Sequence, residues 1–199
     1  MTDQQPPSPP PQVEDIFTLD PRHSQTLLAL ARRSIVQGLE TGRPLSVAPE
    51  EFDEPLRARR AAFVTLTTWG NLRGCIGHLE AIQPLVRDVA DNAFAAAFRD
   101  PRFPPLAARE LGPLQIEISV LTPPKTVDGV EDIAIGRDGI LIDRGGRRAV
   151  FLPQVAPEQN WDLETTLAHL AMKAGMPADA WRTNTTFQTF QAQVFHEMR

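Results

Sequence analysis

The sequence predicts an α+β fold in which a mainly antiparallel sheet is flanked by helices. Strand-like segments occur as hairpins and as single strands between helical segments, without the regular alternation of a parallel βαβ protein. No internal repeat is visible. With 199 residues, of which 42% are hydrophobic, the chain is long enough to bury a core. We expect residues 16–199 to form this α+β domain.

The first residues have a different composition. Five prolines fall within residues 1–12, which leaves neither a helix nor a strand ladder available. Few apolar side chains are present to compensate the entropy of ordering. Residues 1–15 are therefore predicted to be a disordered, proline-rich tail.

Helix signals occur at three places. Asp20-Pro21 supplies a capping carboxylate and a proline at the first helical position, and apolar residues follow at helical spacing up to Leu39. Pro84 opens an alanine-rich helix that ends near Phe98. Asp162 caps a third helix, which Gly175 terminates.

Strand signals form two hairpins and two single strands. They are predicted from β-branched and aromatic residues in runs bounded by turn residues. A short β-prone piece is also expected at Ile133–Ile135. The hairpins are 61–68 with 72–77, and 139–143 with 147–152; the single strands are 114–121 and 188–195.

Composition and charge exclude several classes of function. A net charge of −5 and a pI near 5.4 disfavour a nucleic-acid partner, which calls for a basic face. The single cysteine excludes an internal disulfide and fits a reducing compartment. No apolar run is long enough to span a membrane, and the N-terminus has no signal-peptide pattern. We therefore expect a cytoplasmic protein.

The candidate site is the stretch Leu72–His78, which holds that only cysteine, Cys75. Regular strand alternation would place Arg73, Cys75 and Gly77 on one face. Gly74 and Gly77 would let a ligand or a partner's backbone approach closely. Arg73 would supply an anion contact.

Three kinds of chemistry remain open for this stretch. Cys75 is a candidate nucleophile or carrier with His78 as its base, since covalent thiol catalysis needs a base nearby. Alternatively, Cys75 is a small buried hydrophobe without a chemical role. Cys75 and His78 also have metal-ligand spacing, with Glu80 as a third ligand, but no second cluster supports this, so no metal and no cofactor is assigned.

A second segment is expected to share the site. Pro153 removes a ladder donor where the later hairpin ends, which frees Gln154 to point elsewhere. Two strands that lose regularity are natural walls of a ligand pocket. We therefore expect residues 151–155 beside 73–78, with Gln154 and Asn160 as amide donors or acceptors toward the ligand.

Several motifs occur in order along residues 20–198. Together they resemble the AMMECR domain family, whose prokaryotic members are called AmmeMemoRadiSam system protein A. The resemblance implies an α+β fold with a larger and a smaller lobe meeting at a cleft. His78 departs from the family pattern, which has a small hydroxyl residue there. The motifs are Leu72-Arg73-Gly74-Cys75-Ile76-Gly77, Asp100-Pro101-Arg102-Phe103-Pro104-Pro105-Leu106, Ile116-Glu117-Ile118-Ser119-Val120-Leu121, Phe151-Leu152-Pro153-Gln154-Val155 and Lys173-Ala174-Gly175.

The resemblance also implies genetic association with a Memo-type protein and a radical-SAM protein, but no known reaction. Two hypotheses follow for the function. The chain is a Cys-dependent enzyme or a sulfur or acyl carrier that acts with those partners on an unknown small molecule. Alternatively, it is a non-catalytic ligand-binding or adaptor module.

Overall fold

The computed structural model describes residues 18–197, so the predicted N-terminal tail lies outside the described residues. Three longer helices occur where the sequence predicts them, and two short ones were not predicted. None of the helices within 18–197 has the length and hydropathy to cross a bilayer. The helices are α1 (Pro21–Thr41), α2 (Glu54–Arg57), α3 (Leu85–Phe98), α4 (Val155–Gln159) and α5 (Leu163–Lys173).

Eight strands form two antiparallel four-stranded sheets, which confirms the α+β prediction. Sheet I has the order β2-β1-β3-β8 and sheet II the order β4-β7-β5-β6. The strands are β1 (Ala62–Thr68), β2 (Asn71–Gly77), β3 (Leu114–Leu121), β4 (Lys125–Val127), β5 (Gly139–Arg144), β6 (Arg147–Phe151), β7 (Thr186–Phe190) and β8 (Ala192–His196).

The larger core lies between the inner face of sheet I and helices α1 and α3. Val64, Leu66, Ile116 and Ile118 point from the sheet into this core and are fully buried. Asp20 caps α1 as predicted, since its side chain accepts the backbone N–H of His23. The opposite face of sheet I is therefore free to carry polar side chains.

The buried stripe of α1 should contribute strongly to stability. We expect Leu28→Ala to lower the free energy of unfolding by about 2–3 kcal/mol, the lower part of the range for such truncations, because Leu28 keeps 8% of its surface exposed. Chemical denaturation measures this. Gln25→Ala, on the exposed side of the same helix, is the matched control, and equal midpoints for the two variants would contradict the assignment of the stripe.

The smaller core lies between sheet II and α5. Leu167 and Leu170 of α5 are fully buried, and they belong to one cluster with Ile142 of β5 and Phe187 of β7. Ile133–Ile135 is not a strand, in contrast to the prediction; the chain there leaves a 3-10 turn at Val130–Asp132.

Two chain segments that lie side by side, 122–124 and Gln191, join the two sheets. β3 pairs with β8 in sheet I, and the next strand along the chain, β4, pairs with β7 in sheet II. The crossing is fixed by two hydrogen bonds: Thr122 N–H donates to the Gln191 carbonyl (2.9 Å), and Gln191 N–H donates to Thr122 Oγ1 (2.8 Å). The single strand predicted over 188–195 is therefore two strands in different sheets, interrupted at Gln191.

The outer face of sheet I contacts sheet II through a small apolar cluster. Phe63 and Leu79 on the side of sheet I pack in one cluster with Val150 and Leu152 on the side of sheet II, around the buried Phe190. This contact turns the outer face of β1 and β2 toward the end of β6.

Candidate functional site

One row of side chains crosses the outer face of sheet I and carries reactive groups. Cys75 of β2 is paired with Thr65 of β1, Thr65 with Glu117 of β3, and Glu117 with His196 of β8. Directly paired residues in antiparallel strands point to the same face. The pairing therefore brings a thiol, a hydroxyl, a carboxylate and an imidazole into one line.

Cys75 is a free cysteine with a partly exposed side chain. The Thr65 hydroxyl donates to its Sγ at 3.3 Å. The thiol is thus neither buried in the core of sheet I nor fully solvated, and a reagent can approach it from the side of the outer face.

The open edge of β2 is covered at Cys75 by two side chains of the loop after α3. Cys75 N–H donates to Asp100 Oδ2 (2.9 Å), and Arg102 Nη2 donates to the Cys75 carbonyl (3.2 Å). Arg102 also binds both carboxylate oxygens of Asp100, at 2.9 and 2.7 Å. This bidentate pair replaces a neighbouring strand and fixes the backbone that carries the thiol.

These contacts also set the protonation of the loop. The hydrogen bonds from Arg102 hold the pKa of Asp100 far below its usual range, and the amide of Cys75 lowers it further, although burial opposes both. Asp100 is therefore ionised across the physiological pH range. Arg102 keeps its positive charge beside Cys75, with about half of its side chain exposed.

Lys173, the last residue of α5, is a second cation on the side of sheet II. Its Nζ donates to the Val150 carbonyl (3.0 Å) and lies 4.9 Å from the centre of the Phe151 ring. The protein packed around this amine lowers its pKa, and the charge of Arg102 lowers it further, whereas a Cys75 thiolate raises it. Cys75, Arg102 and Lys173 are therefore within electrostatic reach of one another.

Glu117 is the acidic group of the row. Its side chain is half-buried, and burial raises its pKa; the charge of Glu158 on α4 raises it too, while His196 lowers it. Glu117 lies two strands from Cys75 on the same sheet face. A carboxylate with a raised pKa is suited to accept and return a proton near neutral pH.

Arg73 does not share the face of Cys75, in contrast to the prediction from alternation. The pairing of β1 and β2 shifts between Leu66 and Thr67, so Arg73 is an extra residue in a β-bulge. Its guanidinium binds Glu110 at 2.7 Å and the Pro104 carbonyl at 2.9 Å, and it is 8% exposed. Arg73 fixes the loop after α3.

The two glycines of the stretch are required by packing inside the protein. A Cβ on Gly74 would lie 2.1 Å from the backbone oxygen of Ala96 on α3, and a Cβ on Gly77 would lie 2.3 Å from the ring of Phe63. The space next to each glycine is thus already filled, so neither is the open approach for a ligand that the sequence suggested.

Gly74→Ala should therefore destabilise the protein without touching the thiol. The clash is with a helix backbone that cannot rotate away, so we expect a loss of about 2 kcal/mol in the free energy of unfolding, measured by denaturant titration. Gly112→Ala is the control because its Cβ would meet no atom within 4 Å. A Gly74→Ala protein as stable as the control would show that α3 does not pack this closely.

His78 is not brought to Cys75. It follows β2 and its Nδ1 lies 2.6 Å from Oδ1 of Asp88, a fully buried residue of α3, whose other oxygen accepts from Ala62 N–H and Asn92. Helix α3 covers the inner face of sheet I, whereas Cys75 belongs to the outer face. The predicted pair of a thiol and its histidine base is therefore not formed.

Gln154 and Asn160 bracket α4. Gln154 is its N-terminal cap residue, and its Oε1 is buried without a hydrogen-bond partner among residues 18–197. Asn160 ends the helix in the left-handed conformation (φ 54°) and is exposed. Over the same residues neither side chain bonds to Cys75, so their part in a ligand site stays a prediction.

The described residues contain no group of three or more His, Cys, Asp and Glu side chains placed to hold a metal ion. Over this range, Cys75 and His78 diverge to opposite faces of sheet I, which is the physical reason that their spacing does not produce a site.

Arg102, Lys173 and Glu117 are among the site residues that were not identified from the sequence. Each lies in a motif that supports the family resemblance, but only the fold brings the motifs together. Glu117 could have been found, since it alternates with Ile116 and Ile118 on a strand whose apolar face must be buried. Its pairing with Thr65 could not be predicted, because the residues near Glu117 do not determine which residue of a distant strand lies opposite.

Comparison with known proteins gives one consistent family. A sequence model described as AMMECR1 matches residues 28–195. A protein of Methanothermobacter thermautotrophicus is 42% identical over 181 residues, covering 87% of this chain and 93% of that protein. One from Methanopyrus kandleri is 43% identical over 181 residues, covering 86% of each. The crystal structure of an uncharacterized protein from Pyrococcus horikoshii superposes with a TM-score of 0.80 at 38% identity, covering 87% of this chain and 91% of that one.

Proposed function

Since the chain belongs to the AMMECR1 family, whose relatives here are uncharacterized, we propose a function from the site itself: Cys75 is the nucleophile of a group-transfer enzyme and carries an acyl group as a thioester. The observation that supports this is the row of Cys75, Thr65 and Glu117 on one sheet face, with Arg102 bonded to the backbone carbonyl of Cys75. The substrate would bind in a cleft between the two sheets.

The reaction proceeds in two balanced steps. In the first, the Cys75 thiol gives up its proton to solvent and Sγ attacks the carbonyl carbon of an activated acyl donor. The leaving group departs with the electron pair of the broken bond, and a thioester forms. The thiolate is the attacking form of a thiol. Arg102 donates to the backbone carbonyl of Cys75, and the Thr65 hydroxyl orients the sulfur through its hydrogen bond.

In the second step, water or an amine attacks the thioester carbon. Glu117 accepts the proton of the attacking group as the new bond forms. The carbon–sulfur bond breaks, the acyl product leaves, and the thiol is regenerated when the proton is returned. This step needs no oxidant, reductant or metal ion.

Memo-type and radical-SAM proteins remain proposed partners, with family membership as their support. A cytoplasmic location is proposed on the single reduced cysteine. Co-purification of either partner with tagged full-length chain from a native host would support the association.

A burst assay with p-nitrophenyl acetate tests the proposed function. We expect release of one equivalent of p-nitrophenolate, and a mass increase of one acetyl group that hydroxylamine removes, as for a thioester. Cys75→Ser should abolish both, whereas His78→Ala should retain the burst because His78 lies on the other face. The proposal is overturned if the native protein shows no burst, or if Cys75→Ser shows the same burst as the native chain.

A further inference from the structure

A groove of about 580 Å³ lies beside sheet II, where the β5–β6 turn meets the chain after α5. Its walls include Arg144, Gly145 and Arg147 from the turn, and Asp179 and Thr183 from the facing segment. No residue of the row containing Cys75 lines it. The volume is in the range of small-molecule sites.

Two arginines converge on this groove from adjacent strands. Arg144 and Arg147 are directly paired across the hairpin, so their side chains emerge on the same face about 5 Å apart at Cβ. Like charges at such positions repel each other. An anion bound between the two guanidinium groups would offset this repulsion.

Each arginine is anchored but not neutralised. Arg144 Nη1 donates to the Ala180 carbonyl at 2.7 Å, and Arg147 Nη1 donates to the Gly175 carbonyl at 2.9 Å. Neither forms an ion pair with a carboxylate in the part of the chain that the structure describes. A guanidinium has five N–H donors, so several on each residue remain for a ligand.

We propose that this groove binds a small molecule through an oxyanion, a phosphate or a carboxylate, held by Arg144 and Arg147. Arginine's planar fork matches both groups. The Asp179 carboxylate on the facing wall repels anionic groups, so the anionic part of the ligand would lie at the arginine end of the groove. A hydroxyl or an amine of the ligand would lie beside Asp179. The net charge of −5 and the concave shape favour a small molecule over a nucleic acid.

Titration of the ¹⁵N-labelled full chain with sodium pyrophosphate, at constant ionic strength, tests this site. We expect saturable amide shifts at Gly145 and Thr183. Arg144→Gln and Arg147→Gln should each weaken binding about tenfold, the effect of losing charged hydrogen bonds. Arg43→Gln, which removes the same charge from the loop after α1, should leave the affinity unchanged. A parallel titration with succinate distinguishes a carboxylate ligand from a phosphate ligand.

Three results would overturn the proposal. Shifts that do not saturate with either pyrophosphate or succinate would exclude an oxyanion site. If Arg43→Gln weakened binding as much as Arg144→Gln and Arg147→Gln, the loss of one positive charge from the protein would explain the effect without a site in the groove. Tighter, steeply salt-dependent binding of a single-stranded oligonucleotide through the same two arginines would assign the groove to nucleic acid instead.

Discussion

Acetyl-Cys75 should lose its acetyl group about 10²-fold more slowly after Glu117→Gln, the usual size of a general-base contribution. The glutamine keeps the shape of the side chain but cannot accept a proton from water. Glu117 takes no part in the formation of the thioester, so the burst with p-nitrophenyl acetate should keep its amplitude. The accumulated acetyl-protein is measured by mass spectrometry over time.

The pH dependence of the same step provides a separate check. Burial raises the pKa of Glu117, and a base acts in its deprotonated form. Deacylation by the native protein should therefore slow as the pH falls through that raised pKa, and Glu117→Gln should lack this dependence. Glu51→Gln, an exposed carboxylate, is the control. If Glu117→Gln deacylated at the native rate, Glu117 would not be the base of this step, but the proposal that Cys75 is the nucleophile would be unaffected.

Asp100→Asn should lower the free energy of unfolding by about 3 kcal/mol near neutral pH, because several hydrogen bonds to a charged group are lost together. Asp100 is 4% exposed and accepts from the amide of Cys75 and from Arg102. An asparagine at this place would direct an N–H group toward one of those donors. Denaturant titration of the two proteins measures the difference.

This loss should depend on pH in a defined direction. The folded pKa of Asp100 lies below its unfolded value of about 3.9, so its ionisation stabilises the fold above that value. The contribution disappears as the pH falls from there through the folded pKa. The gap between native and Asp100→Asn should thus be largest at pH 5 and above and shrink in acid. The control Asp132→Asn, at an exposed position, should unfold with nearly the native free energy at every pH. A difference between native protein and Asp100→Asn that stays constant with pH would contradict the ionised pair.

Local signals in the sequence predicted most of the secondary structure. Asp20, Pro84 and Asp162 mark the starts of the three longer helices, and Gly145-Gly146 forms the turn of the later hairpin with positive φ at both residues. Such caps and turns depend on a few neighbouring residues. The break at Gln191 was missed because the residues on either side of it do not indicate that the chain changes partner strand there.

The candidate site was predicted less completely than the fold. Cys75 was identified because it is the only cysteine, but its expected neighbours Arg73 and His78 turn to other partners, Glu110 and Asp88. One bulged residue in β2 breaks the regular alternation, so the prediction that Arg73 shares the face of Cys75 was wrong. The groups that do approach Cys75 come from positions 10 to 98 residues away along the chain, and tertiary packing alone specifies them.

The paired crossing at Thr122 and Gln191 has a mechanical consequence. Two crossing segments that are hydrogen-bonded to each other resist bending more than a single-chain linker would, so we expect the two sheets to move as one body. Opening by a hinge would require breaking both reciprocal bonds at the crossing. We therefore expect side-chain motion to govern access to Cys75, and thermal unfolding to proceed in one cooperative transition although the described residues form a larger and a smaller core.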